Sequence, residues 1–310
     1  MAETLAITFT PEEEGQRLDA ALAGRIELGL SRSRIRQLID EGLVTIAGRR
    51  TKPAQKVTAG EVAEMMLPAP EPMAAVAEEM PLDIVYEDND LIVVNKQRGL
   101  VVHPAPGHRR GTLVNALLAH CPDLEEINSV IRPGIVHRLD KDTTGLLVVA
   151  KNARAYRSLV DQMRRRAIHR GYLTLVWGRP EAEAGKVISP IGRHPVDRKR
   201  MAVVESGRPA VTHFVVREEL PNHSLLEVTL ETGRTHQIRV HLAYIGHPVV
   251  ADPVYGGRRN GFGLAGQALH AATLELTHPV SGRPLRFEAP LPADFTSVLE
   301  RLRVDTGTGL

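Results

Sequence analysis

The stretch Ile84-Val85-Tyr86-Glu87-Asp88-Asn89-Asp90-Leu91-Ile92-Val93-Val94-Asn95-Lys96 reads as two strand-like apolar runs around a turn. Ile, Val and Tyr favour extended backbone, and Asp-Asn-Asp supplies side chains that bond their own backbone in turns. The pair is a hairpin signal. Further strand candidates follow at Gly145–Ala150, Tyr172–Trp177, His213–Val216 and Leu225–Leu230, and helical candidates at Gly111–His120, Ala153–Arg166 and Thr235–Ile245. Strands outnumber helices and arrive in pairs, which argues against a doubly wound parallel sheet. The expected class is α+β, with a mixed, largely antiparallel central sheet flanked by helices.

Upstream of the hairpin, PAPEPMAAVAEEMP (residues 68–81) carries four prolines and reads as a semi-rigid linker. Before it lies a small module: RLDAALAGRI from Arg17, SRSRIRQLIDEG from Ser31 and LVTIAGRRTKPAQKV from Leu43. Ser31 is the expected N-cap of a helix whose core stripe is Ile35, Leu38 and Ile39 and whose C-cap is Gly42. Leu43–Ile46 then reads as a strand entering the turn Ala47-Gly48. Arg32, Arg34, Arg36, Arg49, Arg50 and Lys52 surround this core. The expected division is a small domain at 11–67, the linker at 68–81, a larger domain at 82–301 and a tail at 302–310.

A chain of 310 residues has room for two domains. Its 43% hydrophobic and 25% charged residues suit a soluble globular protein rather than a disordered or fibrous one. The one cysteine, Cys121, makes neither an internal disulfide nor a Cys-rich zinc site, so a reducing compartment is expected. No run of 18 apolar residues and no basic, apolar leader occurs, which points to the cytoplasm and away from membranes. The net charge of +2 conceals strong segregation. Arg17–Lys56 holds nine basic and four acidic residues, Lys151–Arg170 seven and one, and Glu61–Asp90 nine acids and no base. Such blocks suit a chain that turns chosen faces to a polyanion, and RNA or DNA becomes a candidate partner.

The densest polar cluster is GIVHRLDKDTTGLLVVAK, residues 134–151. Asp140-x-Asp142-x-Thr144-Gly145 opens like a calcium loop, but Lys151 stands where a bidentate Glu is needed. The same residues give the D-x-D-x-T order of a Mg²⁺-dependent phosphotransferase with Asp140 as nucleophile, although the run before it ends in His137-Arg138 rather than staying apolar. That remains one alternative; a non-catalytic ribosome-binding protein is another.

The longer string HRLDKDTTGLLVVAK resembles the signature of the RluA-type pseudouridine synthases. It is joined by LETGRTHQIRVHLAYIGHPVVADPVYG (230–256), IHRGYLTLVWG (168–178) and IVYEDNDLIVVNKQRGLVVHP (84–104). VHPAPGHRRGTLVNALLAHC, RPGIVHRLD and PIGRHPVDRKRMAV extend the likeness, within that family, to its large-ribosomal-subunit subgroup D. The N-terminal module resembles the S4 RNA-binding domain. Lys96-Gln97 departs from the usual Lys-Pro, and Arg170 stands where Lys is common.

The resemblance implies the pseudouridine synthase fold and an isomerase that detaches uracil N1 from ribose C1′, turns the base and joins C5 to the same carbon. It implies no cofactor and no metal, and the sequence offers neither a Gly-rich phosphate loop nor a metal-spaced Cys/His set. Asp140 is the implied catalytic carboxylate, acting as nucleophile, as base or as support for an oxocarbenium-like centre. Such a group needs a fixed cation to stay charged in a water-poor pocket, and Arg239 in His236-Gln237-Ile238-Arg239 is the implied partner. Tyr172 would stack on the base. Arg138 would fill the space left by the extruded nucleotide, with His137 beside it, and Leu269 would wall the uracil pocket. Arg32, Arg34, Arg36, Arg49, Arg50, Lys52, Arg198 and Lys199 would hold RNA phosphates. The implied substrate is 23S rRNA at the stem-loop called helix 69, met during ribosome assembly by a monomer.

Overall fold

The computed structural model describes residues 3–25, 30, 32–67, 75–105, 108–127, 133–198, 200–257 and 261–307. The chain divides into two compact units, Met1–Pro72 and Met73–Leu310. In the first unit, strands β1 (Glu3–Thr8), β2 (Val44–Ile46), β3 (Arg49–Arg50) and β4 (Val62–Leu67) form an antiparallel sheet in the order β1-β4-β2-β3. Helices α1 (Leu18–Gly24) and α2 (Arg32–Asp40) bury Leu18, Leu22, Ile35, Leu38 and Ile39 in one core with Val44, Ala63 and Met65. β1 lies before residue 11, where the sequence reading began the module, and adds an edge strand beside β4. Ala47 and Gly48, both at positive φ, make the β2–β3 turn, and Gly42 at φ +77° ends α2. The expected cap Ser31 lies outside the described residues, as does linker segment 68–74.

The second unit is built on a nine-stranded sheet. Its strands are β5 (Ile84–Glu87), β6 (Leu91–Lys96), β7 (Thr144–Ala150), β8 (His169–Trp177), β9 (Ala184–Ile188), β12 (Val211–Leu220), β13 (His223–Leu230), β14 (Leu269–Thr277) and β15 (Pro284–Glu288). The order is β5-β6-β7-β14-β8-β13-β12-β9, with β15 also paired to β14. Among the described residues only β7 and β14 pair in parallel and the other strand pairs are antiparallel, so the sheet is mixed and largely antiparallel as expected. A small hairpin of β10 (Ile191–Arg193) and β11 (Met201–Val203) stands apart. Helices α3 (Leu113–His120), α4 (Ala153–Arg164), α5 (Gln237–Tyr244) and α6 (Ala293–Gly307) complete the unit.

Several helix ends differ from the sequence reading for local reasons. Thr112 caps α3 rather than belonging to it: its hydroxyl accepts from Asn115 N–H, while its own N–H donates to Asn115 Oδ1. Arg166, at φ +59°, lies beyond the end of α4, and His236, at φ +57°, delays the start of α5 to Gln237. Helix α6 runs to Gly307 and buries Leu302, at a position read as tail.

Candidate active site

Asp140 sits in the loop leading into β7, at the centre of the sheet where β7 meets β14. Each of the next four residues is fixed by a different side chain. Lys96 Nζ donates to Lys141 O at 2.8 Å, and also to the carbonyls of Gln97 and Leu100 at 2.9 Å. Arg98 Nη1 donates to Asp142 O at 2.9 Å, and Gln267 Nε2 donates to the Thr143 hydroxyl at 2.9 Å. The Thr144 hydroxyl bonds His270 Nδ1 at 2.8 Å, while His270 Nε2–H donates to Ala289 O. Lys96 is 2% exposed, and burial pushes its amine down to about 7, against the pull of Asp142 and Asp140. Gly145, at φ +107°, lets β14 approach: a Cβ there would lie 2.2 Å from Ala271 O. The loop is thereby held in one conformation, as a site needing sub-ångström placement requires.

Arg239 projects from α5, a helix whose polar residues Gln237, Arg239 and His241 are buried because each finds partners. Its Nη1 donates to Asp140 Oδ2 at 3.0 Å. Its other edge grips Asp252, Nε to Oδ2 at 2.6 Å and Nη2 to Oδ1 at 2.9 Å. Asp252 Oδ1 also accepts from the N–H groups of Val254 and Tyr255. Burial raises the Asp252 carboxyl, but Arg239 and these amides outweigh it and hold the group below its ordinary value. One guanidinium thus bridges two carboxylates. Asp252 is fully buried, whereas Asp140 keeps 16% of its side chain exposed. Asp140 Oδ2 is held by Arg239, and Oδ1 lies 3.9 Å from His236 Nε2.

His236 and Ala251, both in left-handed backbone, flank the Arg239–Asp252 pair. Strain of this kind persists where the surroundings over-determine it. The His236 ring bonds Tyr255 Oη at 3.0 Å, and that oxygen accepts from Met201 N–H. Burial pushes the His236 imidazole down despite Asp140, so it is neutral at neutral pH. The Arg239 guanidinium lies 5.2 Å from the Tyr255 ring centre.

These groups open on a cleft of about 340 Å³, within the usual range for ligand sites. Asp140, Arg239, Tyr172, Arg138, His137 and Leu269 all line it, so the six residues singled out for catalysis and substrate binding converge. Tyr172 is buried on β8 opposite Ala271 of β14, and burial pushes its phenol up, leaving the hydroxyl protonated. His137 Nε2 accepts from Val148 N–H at 3.2 Å; burial, then the Arg170 charge, push the imidazole down to about 3. Its assigned proton is therefore on Nδ1. Arg138 is exposed at the rim, and Leu269 begins β14.

The remaining basic positions lie elsewhere. Arg32, Arg34 and Arg36 are on α2, with Asp19 buried beneath Arg32 and Arg36, at 3.0 and 3.8 Å. Arg49 and Arg50 form β3 and Lys52 follows, all exposed. Arg198 is exposed between β10 and β11, and Lys199 lies outside the described residues. Of the block 151–170, Arg164 and Arg165 share Asp161, and Arg166 pairs with Glu231.

The phosphotransferase alternative requires two converging carboxylates at the end of a parallel strand. Here Asp140 and Asp142 precede their strand, and Asp142 is not a cleft residue but packs against Gly266. Sequence reasoning missed Asp252, Tyr255 and His236 as parts of the site. Asp252-Pro253 announces a turn, but nothing in its spelling announces the guanidinium thirteen residues away.

Comparison with known proteins adds to this geometry. Residues 90–244 match the family described as RNA pseudouridylate synthase, and residues 16–62 the S4 domain. The chain is 49% identical over 297 residues to an uncharacterized RNA pseudouridine synthase, YlyB, of Bacillus subtilis, covering 96% of this chain and 97% of that one. It is 46% identical over 320 residues to ribosomal large subunit pseudouridine synthase D of Vibrio vulnificus, covering 98% and 97%. Among solved structures, human RNA pseudouridylate synthase domain containing 1 superposes with a TM-score of 0.57 at 27% identity, covering 72% of this chain and 95% of that one. With likeness of this extent running through the cleft residues, the chain belongs to the RNA pseudouridine synthase family and carries an S4 domain.

Proposed function

We propose that this enzyme converts uridines of 23S rRNA to pseudouridine, with the helix 69 stem-loop as its target and no cofactor in the reaction. The observation that carries the chemistry is a carboxylate that lines a cleft of about 340 Å³, with one oxygen held by Arg239 and the other 3.9 Å from the His236 ring. Relatives named for the large ribosomal subunit support the substrate. The N1–C1′ bond breaks and a C5–C1′ bond forms; C5 gives up its proton and N1 gains one. Asp140 acts at the sugar, as nucleophile, base or electrostatic support for the developing cation, while the hydrogen bond from Arg239 holds it in position.

The uridine leaves its stack at a cost of a few kcal/mol. Arg138 takes its place in the helix, with His137 beside it, Tyr172 stacks on the base and Leu269 walls the pocket. The module of residues 11–67, linked through 68–81 to the catalytic residues 82–301, brings Arg32, Arg34, Arg36, Arg49, Arg50 and Lys52 to phosphates, and the loop with Arg198 and Lys199 does the same. A monomer is part of the same proposal, and the ribosomal substrate supports a cytoplasmic enzyme. The test is pseudouridine mapping in rRNA from cells lacking the protein, paired with tritium release from C5-labelled large-subunit RNA in EDTA. Loss of helix 69 pseudouridines and EDTA-resistant release are expected; unmodified sites elsewhere with helix 69 intact would reassign the target, and no release would end the reading.

A further inference from the structure

A nucleotide drawn into the cleft brings its phosphodiester with it, and that charge needs a partner. Arg239 is taken by two carboxylates, and Arg138 stands exposed at the rim. Arg170 is different. It is half-buried, its Nε is buried without a hydrogen-bond partner, and no carboxylate pairs with it among the described residues. A side chain at Gly233 would meet its Nη atoms at 3.6 and 3.7 Å, so the guanidinium lies against the bare backbone of the loop before α5.

Arg170 lines two hollows, the catalytic cleft and a neighbouring groove of about 490 Å³, and Tyr172 and Leu230 are shared with it. The other arginines of that groove are neutralised: Arg217 pairs with Glu227, and Arg286 with Glu275 and Glu288. The strand fixes the spacing. Arg170 and Tyr172 are two apart on β8, so they share a face and stand about 6.6 Å apart. Gly171 between them is closed to any side chain, since a Cβ would lie 2.3 Å from Thr273 Oγ1 at the irregularity in β14. A base on Tyr172 therefore has its backbone within reach of Arg170.

We infer that Arg170 is a phosphate-binding residue, clamping a phosphodiester next to the extruded uridine where the RNA strand passes from the cleft into the neighbouring groove. This rests on the pseudouridine synthase reading. An unpaired, half-desolvated fork suits a phosphate's two oxygens, and Lys keeps the charge but loses the bidentate grip.

The test uses RNA stem-loops in which one linkage flanking the target uridine, 5′ or 3′, is an uncharged methylphosphonate, assayed with the full-length enzyme and with Arg170→Gln and Arg170→Lys. The wild type should lose about tenfold or more in kcat/KM on neutralising one of the two linkages. Arg170→Gln should show that loss on unmodified RNA, ignore the same methylphosphonate, and flatten the slope of log Kd against log salt by about 0.7–0.9. Arg170→Lys should keep the sensitivity in weaker form. Indifference of the wild type to both methylphosphonates overturns the assignment without any variant. So does an Arg170→Gln enzyme as sensitive as the wild type. A wild type that isomerises no uridine in any stem-loop would instead overturn the functional reading.

Discussion

Replacing Asp252 by Asn tests whether the buried half of the Asp140–Arg239–Asp252 bridge matters to turnover. The substitution keeps shape and removes one charge. It puts an amide NH₂ against one of two guanidinium donors now 2.6 and 2.9 Å from carboxylate oxygens. Arg239 is 4% exposed, so water cannot replace the lost acceptor. Removing one partner of a buried ion pair typically costs about 3–5 kcal/mol; retention of one amide oxygen and of Asp140 puts the expected cost near the low end, about 3 kcal/mol. The freed guanidinium swings toward Asp140, and a displacement near 1 Å at a reacting group costs about 100-fold in rate. That corresponds to about 2.7 kcal/mol of barrier. Asp252 has no exposed surface, so RNA affinity should not change. The assay is single-turnover tritium release from C5-labelled RNA, run well below the variant's melting temperature, with filter binding in parallel. A folded Asp252→Asn protein with the wild-type single-turnover rate would refute the positioning argument.

Gly145→Ala forces a Cβ to within 2.2 Å of Ala271 O at a left-handed φ, so β7 and β14 must part; about 3 kcal/mol or more of stability should disappear, read from urea midpoints. Lys96→Met leaves the carbonyls of Gln97, Leu100 and Lys141 without their shared donor, and at about 1–3 kcal/mol for each buried orphan the melting temperature and turnover should fall together. In the first unit, hydrogen bonds from Arg17, against burial, and from Arg32 hold the Asp19 carboxyl at about 2. A carboxyl depressed on folding stabilises above its ordinary value near 4 and loses that contribution as the pH falls through about 2. Asp19→Asn should therefore flatten the decline in urea midpoint between pH 4 and pH 2, and an unchanged acid limb would show that Asp19 does not supply it.

What could be read from the sequence was what short-range chemistry decides. The 84–96 hairpin is spelled by its turn residues, and the helix read at 153–166 is present as α4, with one buried face. Helix α6 went unread, although Phe295, Val298, Leu299 and Leu302 repeat at helical spacing and are all buried. Strand β14 was not legible: it is buried on both faces, so LHAATLELT shows little alternation until its end. For Asp140, Arg239 and Tyr172 the long resemblance gave what local pattern could not, because Arg239 on a short helix reads as a solvated residue. The bond from Arg239 to Asp252 and the four-way pinning of residues 141–144 arise from crossings of distant elements. No periodicity encodes those.

In the proposed reaction the Asp140 carboxylate performs the chemistry at the sugar. The most direct measurement is single-turnover isomerisation by Asp140→Asn, which keeps the side chain's shape and an acceptor for Arg239 Nη1. No detectable C5 tritium release with RNA affinity unchanged is expected; release at the wild-type rate would remove Asp140 from its role.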